Sequence, residues 1–169
     1  MSVTPRPDHL STQRFVVRPA GEHVTPGALP SLEKIGRVER LPSPRVGWVV
    51  YLDKPARSPR HGWEALKKQL GAGFLVVPVM DDEDGAVRYP TGLVTVRFCA
   101  PVSDADMEAF AHAHALDVVK RARFTRVQVL FRPAAIGEQF LPDVSEKLSA
   151  SPAADAVWLD AESAYTRSA

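Results

Sequence analysis

Cysteine is all but missing from this 169-residue chain: Cys99 is the only one, so no internal disulfide can form and no thiolate cluster can hold a metal. Its place after Thr95, Val96, Arg97 and Phe98, at a strand end, predicts a small buried residue with no chemical role. No apolar run approaches the roughly 18 residues of a membrane span, and the opening MSVTPRPDHLSTQRF lacks a signal-peptide core, so a cytosolic protein with no membrane partner is expected. Neither sign of charge dominates. With 21 Lys and Arg against 20 Asp and Glu, and the cations scattered among the acids, the basic stripe of a nucleic-acid binder is absent and no nucleic acid is expected as partner.

Catalytic signatures are missing too. The chain has no G-x-S-x-G elbow, no Gly-rich phosphate loop and no Cys–His constellation, so no enzyme activity is expected and no catalytic residue is assigned. His112 and His114 lie two apart on an expected helix and point to different faces, which suits surface histidines better than a metal pair. Asp82, Asp84 and Gly85 faintly resemble a calcium loop, but the remaining ligand positions are absent and a solvated turn is the better reading. Neither metal nor cofactor is expected.

What is present is an ordinary folded composition, 45% hydrophobic and 24% charged. Gln13 to Arg18 reads as a strand ending at Pro19, and Thr25 before Pro26 reads as the start of a helix that Pro30 keeps short. Ile35 to Leu41 and the apolar Val46 to Leu52 read as two strands joined by the Pro42-Ser43-Pro44 turn. Trp63, Leu66 and Leu70 at helical spacing mark a helix from Gly62 to Leu70, stopped by Gly71, and Phe74 to Val79 is a further strand. The order is β-α-β-β-α-β.

The same order then repeats. Strand Leu93 to Phe98 is followed by helix Asp104 to His114, strands Asp117 to Arg121 and Arg126 to Phe131, helix Leu141 to Ala150 and strand Ala156 to Asp160, with Ser103 and Asp106 placed as a capping box. Individual residues answer one another at an offset of about 80: Val17-Arg18 with Val96-Arg97, Val38-Glu39-Arg40 with Val119-Lys120-Arg121, and Arg45-Val46 with Arg126-Val127. The expected fold is therefore α+β, two tandem ferredoxin-like βαββαβ units with antiparallel sheets and helices packed on one face. The layout is an N-terminal extension (1–12), a first unit (13–80), a linker (81–92), a second unit (93–160) and a C-terminal tail (161–169). Trp48, Trp63 and Trp158 sit at core spacing and are expected to serve packing.

The second repeat resembles the propeptide of subtilisin-like serine proteases, from Leu93 to the end, under half of the chain. The resemblance lies in LVTVRF as first strand, in SDADMEAFAHAHALDVVKR as acidic helix and second strand, and in PDVSEKLSASPAADAVWLDAESA as last helix, small-residue turn and acidic final strand. It implies that the sheet packs on two surface helices of a protease. Asp160 and Glu162 match the family's acidic positions, which cap those helices, and both are expected to face solvent until they do so.

The resemblance further implies that the segment Ser163, Ala164, Tyr165, Thr166, Arg167, Ser168 and Ala169 lies extended in the protease's substrate cleft, adding a strand beside its edge. Tyr165 is the side chain suited to an aromatic-accepting pocket, and either Ser168 or Ala169 lies nearest the catalytic serine. A frayed end is the alternative for this segment. No Asp, His and Ser catalytic regions follow Ala169, so an inhibitor acting in trans on a subtilisin-like serine protease is expected rather than a precursor. Two other readings stand beside it: a tandem ferredoxin-like regulatory module binding a small ligand between its units, and a folding chaperone for a protease.

Overall fold

The structure, a computed structural model, describes residues 9–20, 33–43, 45–71, 73–82, 85–135 and 137–163. Among them are eight strands and three helices, an α+β arrangement with antiparallel pairing in every ladder described below. The strands are β1 Leu10–Pro19, β2 Gly36–Arg40, β3 Trp48–Leu52, β4 Phe74–Asp81, β5 Val87–Phe98, β6 Leu116–Arg121, β7 Gln128–Pro133 and β8 Ala154–Ser163. The helices, numbered here in chain order, are α1 Pro59–Leu70, α2 Asp104–Ala113 and α3 Leu141–Ser149. The chain divides into two compact units, one built on Pro7–Pro90 and the other on Thr91–Asp160, with β8 from Ala161 onward belonging to the first. No described helix is long and apolar enough to cross a membrane.

In the Pro7–Pro90 unit the strand order is β2-β3-β1-β4, and β4 turns into β5 through Met80↔Arg88 and Asp81↔Val87. Alternation decides which side chains meet. Phe15, Val17, Val50, Leu52, Phe74 and Val76 share one face with Leu66 of α1, while Val16, Val49 and Val79 pack on the other with Leu41 and Tyr89. Both faces are buried, which is why β3 and β4 read as continuous apolar runs. Helix α1 begins at Ser58-Pro59, earlier than Gly62, because the Ser58 hydroxyl accepts the His61 N–H and Pro59 needs no acceptor at the first turn. The helix expected after Thr25 lies outside the described residues.

In the Thr91–Asp160 unit β7 pairs with β5 over Val94↔Phe131 to Arg97↔Gln128, and β6 pairs with β7. Strand β8 also pairs with β5. Arg97 reaches Asp155 and Thr91 reaches Asp160, so β8 runs antiparallel to β5 and takes the edge that β7 leaves. The order is β8-β5-β7-β6. Helix α2, capped by the Ser103 hydroxyl on the Asp106 N–H, lays Phe110 against Phe98 and Phe131 at ring separations of 5.0 and 5.7 Å. The C-terminal end of α2 and helix α3 border one cavity of about 390 Å³, so the two helices are neighbours.

Several expectations are corrected. Residues 81–92, expected as a linker, hold the end of β4 and the start of β5, joined by a hairpin in which Asp82 N–H donates to Ala86 and Arg88 pairs with Asp82. Cys99 is exposed rather than buried, because the strand's alternation has ended at Phe98 and the chain there turns outward. Strand β8 runs to Ser163, beyond the end expected at Asp160. The tryptophans Trp48 and Trp63 pack against the Phe15 cluster while half-buried, and Trp158 is likewise half-buried.

Gly62 is the closest fit of helix to sheet: a Cβ there would lie 2.3 Å from Cζ of the fully buried Phe15. Gly62→Ala should therefore lower stability by about 1–2 kcal/mol, an overpacking cost larger than the gain of about 1 kcal/mol in helix propensity. Urea denaturation of the two proteins reads the difference, and a stabilised variant would contradict this packing.

Candidate functional site

Of the residues singled out by the propeptide resemblance, the described ones, Asp160, Glu162 and Ser163, lie at the end of β8, and both acids have a partner within the chain. Asp160 is half-buried and accepts the Thr91 hydroxyl on Oδ2 at 2.7 Å, with its own carbonyl 3.3 Å from the same hydroxyl. Glu162 is also half-buried. Its Oε2 takes a hydrogen bond from Nη2 of Arg18 at 3.1 Å, and its Oε1 lies 3.4 Å from Nε of Arg45. Ser163 is exposed and closes the strand. Ala164, Tyr165, Thr166, Arg167, Ser168 and Ala169 lie outside the described residues.

These contacts correct the expectation that both carboxylates face solvent. Burial alone would push the Glu162 carboxyl up, but hydrogen bonds from Ser43 and Arg18 and the charges of Arg18 and Arg45 outweigh it and hold the group below the ordinary glutamate range. It is therefore an ion that the fold has already neutralised. Arg18 and Arg45, which the sequence reading left without a role, are the residues that neutralise it. One signal was available: Arg18 ends the apolar run Phe15-Val16-Val17, as Arg97 follows Val96 about 80 residues later.

A second surface comes from the register of the Thr91–Asp160 unit. Val94, Val96, Val129 and Phe131 alternate onto the side that Phe110 covers. The other side carries the row Thr95, Leu130 and Lys120, the pair Arg97 and Gln128, and the pair Asp117 and Arg132. All of these are half-buried or exposed, and α2 lies on the opposite face. This face, free of helix among the described residues, is mixed: aliphatic at Leu130, cationic at Arg97, Lys120 and Arg132, acidic at Asp117, with Arg97 held by Asp155 at 2.7 Å. Its chemistry suits a protein surface rather than a small substrate.

The His114 ring lies tilted against Phe110 with centroids 4.5 Å apart, and His112 is exposed. Among the described residues, no three His, Cys, Asp or Glu side chains are grouped to hold a metal ion. The chain matches no family model, no characterised protein and no solved structure.

The lowered Glu162 carboxyl sets a pH dependence. A group held below its unfolded value contributes stability above that value, about 4.3 for glutamate, and loses it as pH falls through the folded one. Glu162→Gln should be less stable than the unaltered protein at pH 7, and the gap should close below about pH 4.3 as the native carboxyl is protonated. Urea midpoints measured from pH 7 to pH 3 read this; a gap independent of pH would mean that the Glu162 charge does no work.

Proposed function

We propose that this protein is a propeptide-like inhibitor of a subtilisin-like serine protease, acting in trans and non-catalytically, with two tandem ferredoxin-like units. The carrying observation is the helix-free face of the Thr91–Asp160 unit, on strands ordered β8-β5-β7-β6. The Pro7–Pro90 unit has the corresponding order β4-β1-β3-β2, which supports an internal duplication and the shared ferredoxin-like assignment. A sheet with its helices on one side leaves its other face to a partner, and this one offers an aliphatic centre at Leu130 within a charged rim, the usual anatomy of a protein interface.

In this reading the face formed by Thr95, Leu130 and Arg132 docks on the protease's surface helices. The segment from Ser163, the last residue of β8, through Tyr165 to Ala169 is taken to pair as an extra strand in the substrate cleft. Of the two acidic positions, Asp160 is the better candidate to cap a protease helix, since its only described partner is one hydroxyl, whereas Glu162 is engaged by two arginines. Docking and occlusion are thus separate tasks of separate residues.

Two variants separate them. Leu130→Asp should weaken association with a subtilisin-like protease whose catalytic serine is replaced by alanine by about tenfold or more, roughly 1.4 kcal/mol, without a change in thermal unfolding. Deletion of Tyr165 to Ala169 should leave association largely intact while the active protease again cleaves small peptide substrates in the complex. Full inhibition by the truncated protein, or unaltered affinity of Leu130→Asp, would contradict the proposal.

A further inference from the structure

Arg18 is a cation taken almost wholly out of water, with 5% of its surface exposed. It stands in β1 between Val17 of the core and Pro19, where burying a guanidinium is costly unless its donors are met. Two of its acceptors come from far along the chain: Nε donates to the Pro90 carbonyl at 3.1 Å and Nη2 to Glu162 at 3.1 Å. Pro90 is the residue at which β5 leaves the Pro7–Pro90 unit, and Glu162 is the last residue but one of β8. One buried side chain therefore ties two strands at the positions where each passes between units in sequence.

A buried ion pair adds little stability over apolar residues of the same size, and its best-attested use is to specify register. Register needs such help here. The buried alternation of β8 ends with Val157 and Leu159, and nothing in the apolar pattern fixes Ala161, Glu162 and Ser163. We propose that Arg18 is the positioning residue for the end of β8, holding Ala161, Glu162 and Ser163 in register. Arg45 closes the other side of Glu162 and holds its second oxygen. The consequence for inhibition rests on the function proposed above: a tail that must enter a cleft as a strand has to start from a fixed point, and the first repeat supplies that point.

The test uses the full chain with Arg18→Met and, in case that variant does not fold, Glu162→Gln, which alters the same pair from its more exposed side. Amide hydrogen exchange is followed in the free protein. The expected result is exchange at Ala161, Glu162 and Ser163 faster by about tenfold or more, and tenfold or more beyond any rise at Val76, Val157 and Leu159, which report only the loss of global stability. Unchanged rates at 161–163, or equal acceleration at Val76 and Val157, would overturn the positioning role, the second because it assigns the pair to global stability alone. A second arm measures the variants against a subtilisin-like protease. Affinity for the catalytically inactive enzyme should stay within about threefold, while inhibition at saturation falls and the tail is cut. Loosened exchange with full inhibition would remove the consequence for inhibition. If the unaltered protein itself binds no such protease, the inhibitory reading falls, and the exchange arm still decides the positioning role.

Discussion

A guanidinium with almost no access to water has to be answered by oxygen atoms, and the oxygens that answer Arg18 organise much of what surrounds it. Strand β1 is flanked by β3 through Arg14↔Tyr51 to Val17↔Trp48 and by β4 through Phe15↔Pro78 to Pro19↔Phe74. Its apolar residues fill both sides of the sheet, so the position of Arg18 is fixed before any ion pair forms. The pair then fixes something the core does not reach, the end of β8. Removing one partner leaves a buried charge unanswered, which is why such a contact is sensitive to change even where its net contribution is small.

The Thr91–Asp160 unit handles its strand-end arginine differently. Arg97, the counterpart of Arg18 in sequence, is half-exposed and pairs with Asp155 near the start of β8. An exposed pair of this kind contributes about 0–1 kcal/mol and is screened by salt. The two arginines thus hold opposite ends of one strand with unequal grip. The firmer one is buried beside the end of β8, and the looser one lies on the face opposite α2. Burial makes the two arginines different.

Much of this architecture was legible in the sequence because it rests on local chemistry. Alternation in Phe15-Val16-Val17 and Val94-Thr95-Val96, the Ser103 cap, and helical spacing of Trp63, Leu66 and Leu70 each follow from neighbours a few residues apart. The eighty-residue offset placed both sets of strands in the same order. The missed features depend on distant partners. Strand β8 extends to Ser163, past the last buried apolar residue, where Glu162 meets arginines 144 and 117 positions earlier in sequence. Glu162 looked like a solvent-facing acid for the same reason: no cation lies within four residues of it, and only the fold brings Arg18 and Arg45 to it. The start of α1 at Ser58-Pro59 was a local signal that the apolar spacing overshadowed.

The functional account places docking on one face of one sheet and leaves the helix side of that sheet to packing within the unit. Side chains on the two sides should therefore respond oppositely to a bound protease. Hydroxyl-radical footprinting of the full chain, free and saturated with a subtilisin-like protease lacking its catalytic serine, reads this directly. The account predicts reduced oxidation of Leu130 and Arg132, with Phe110 and Val144 of α2 and α3 unchanged. Protection of Phe110 and Val144 with Leu130 unaltered would contradict it.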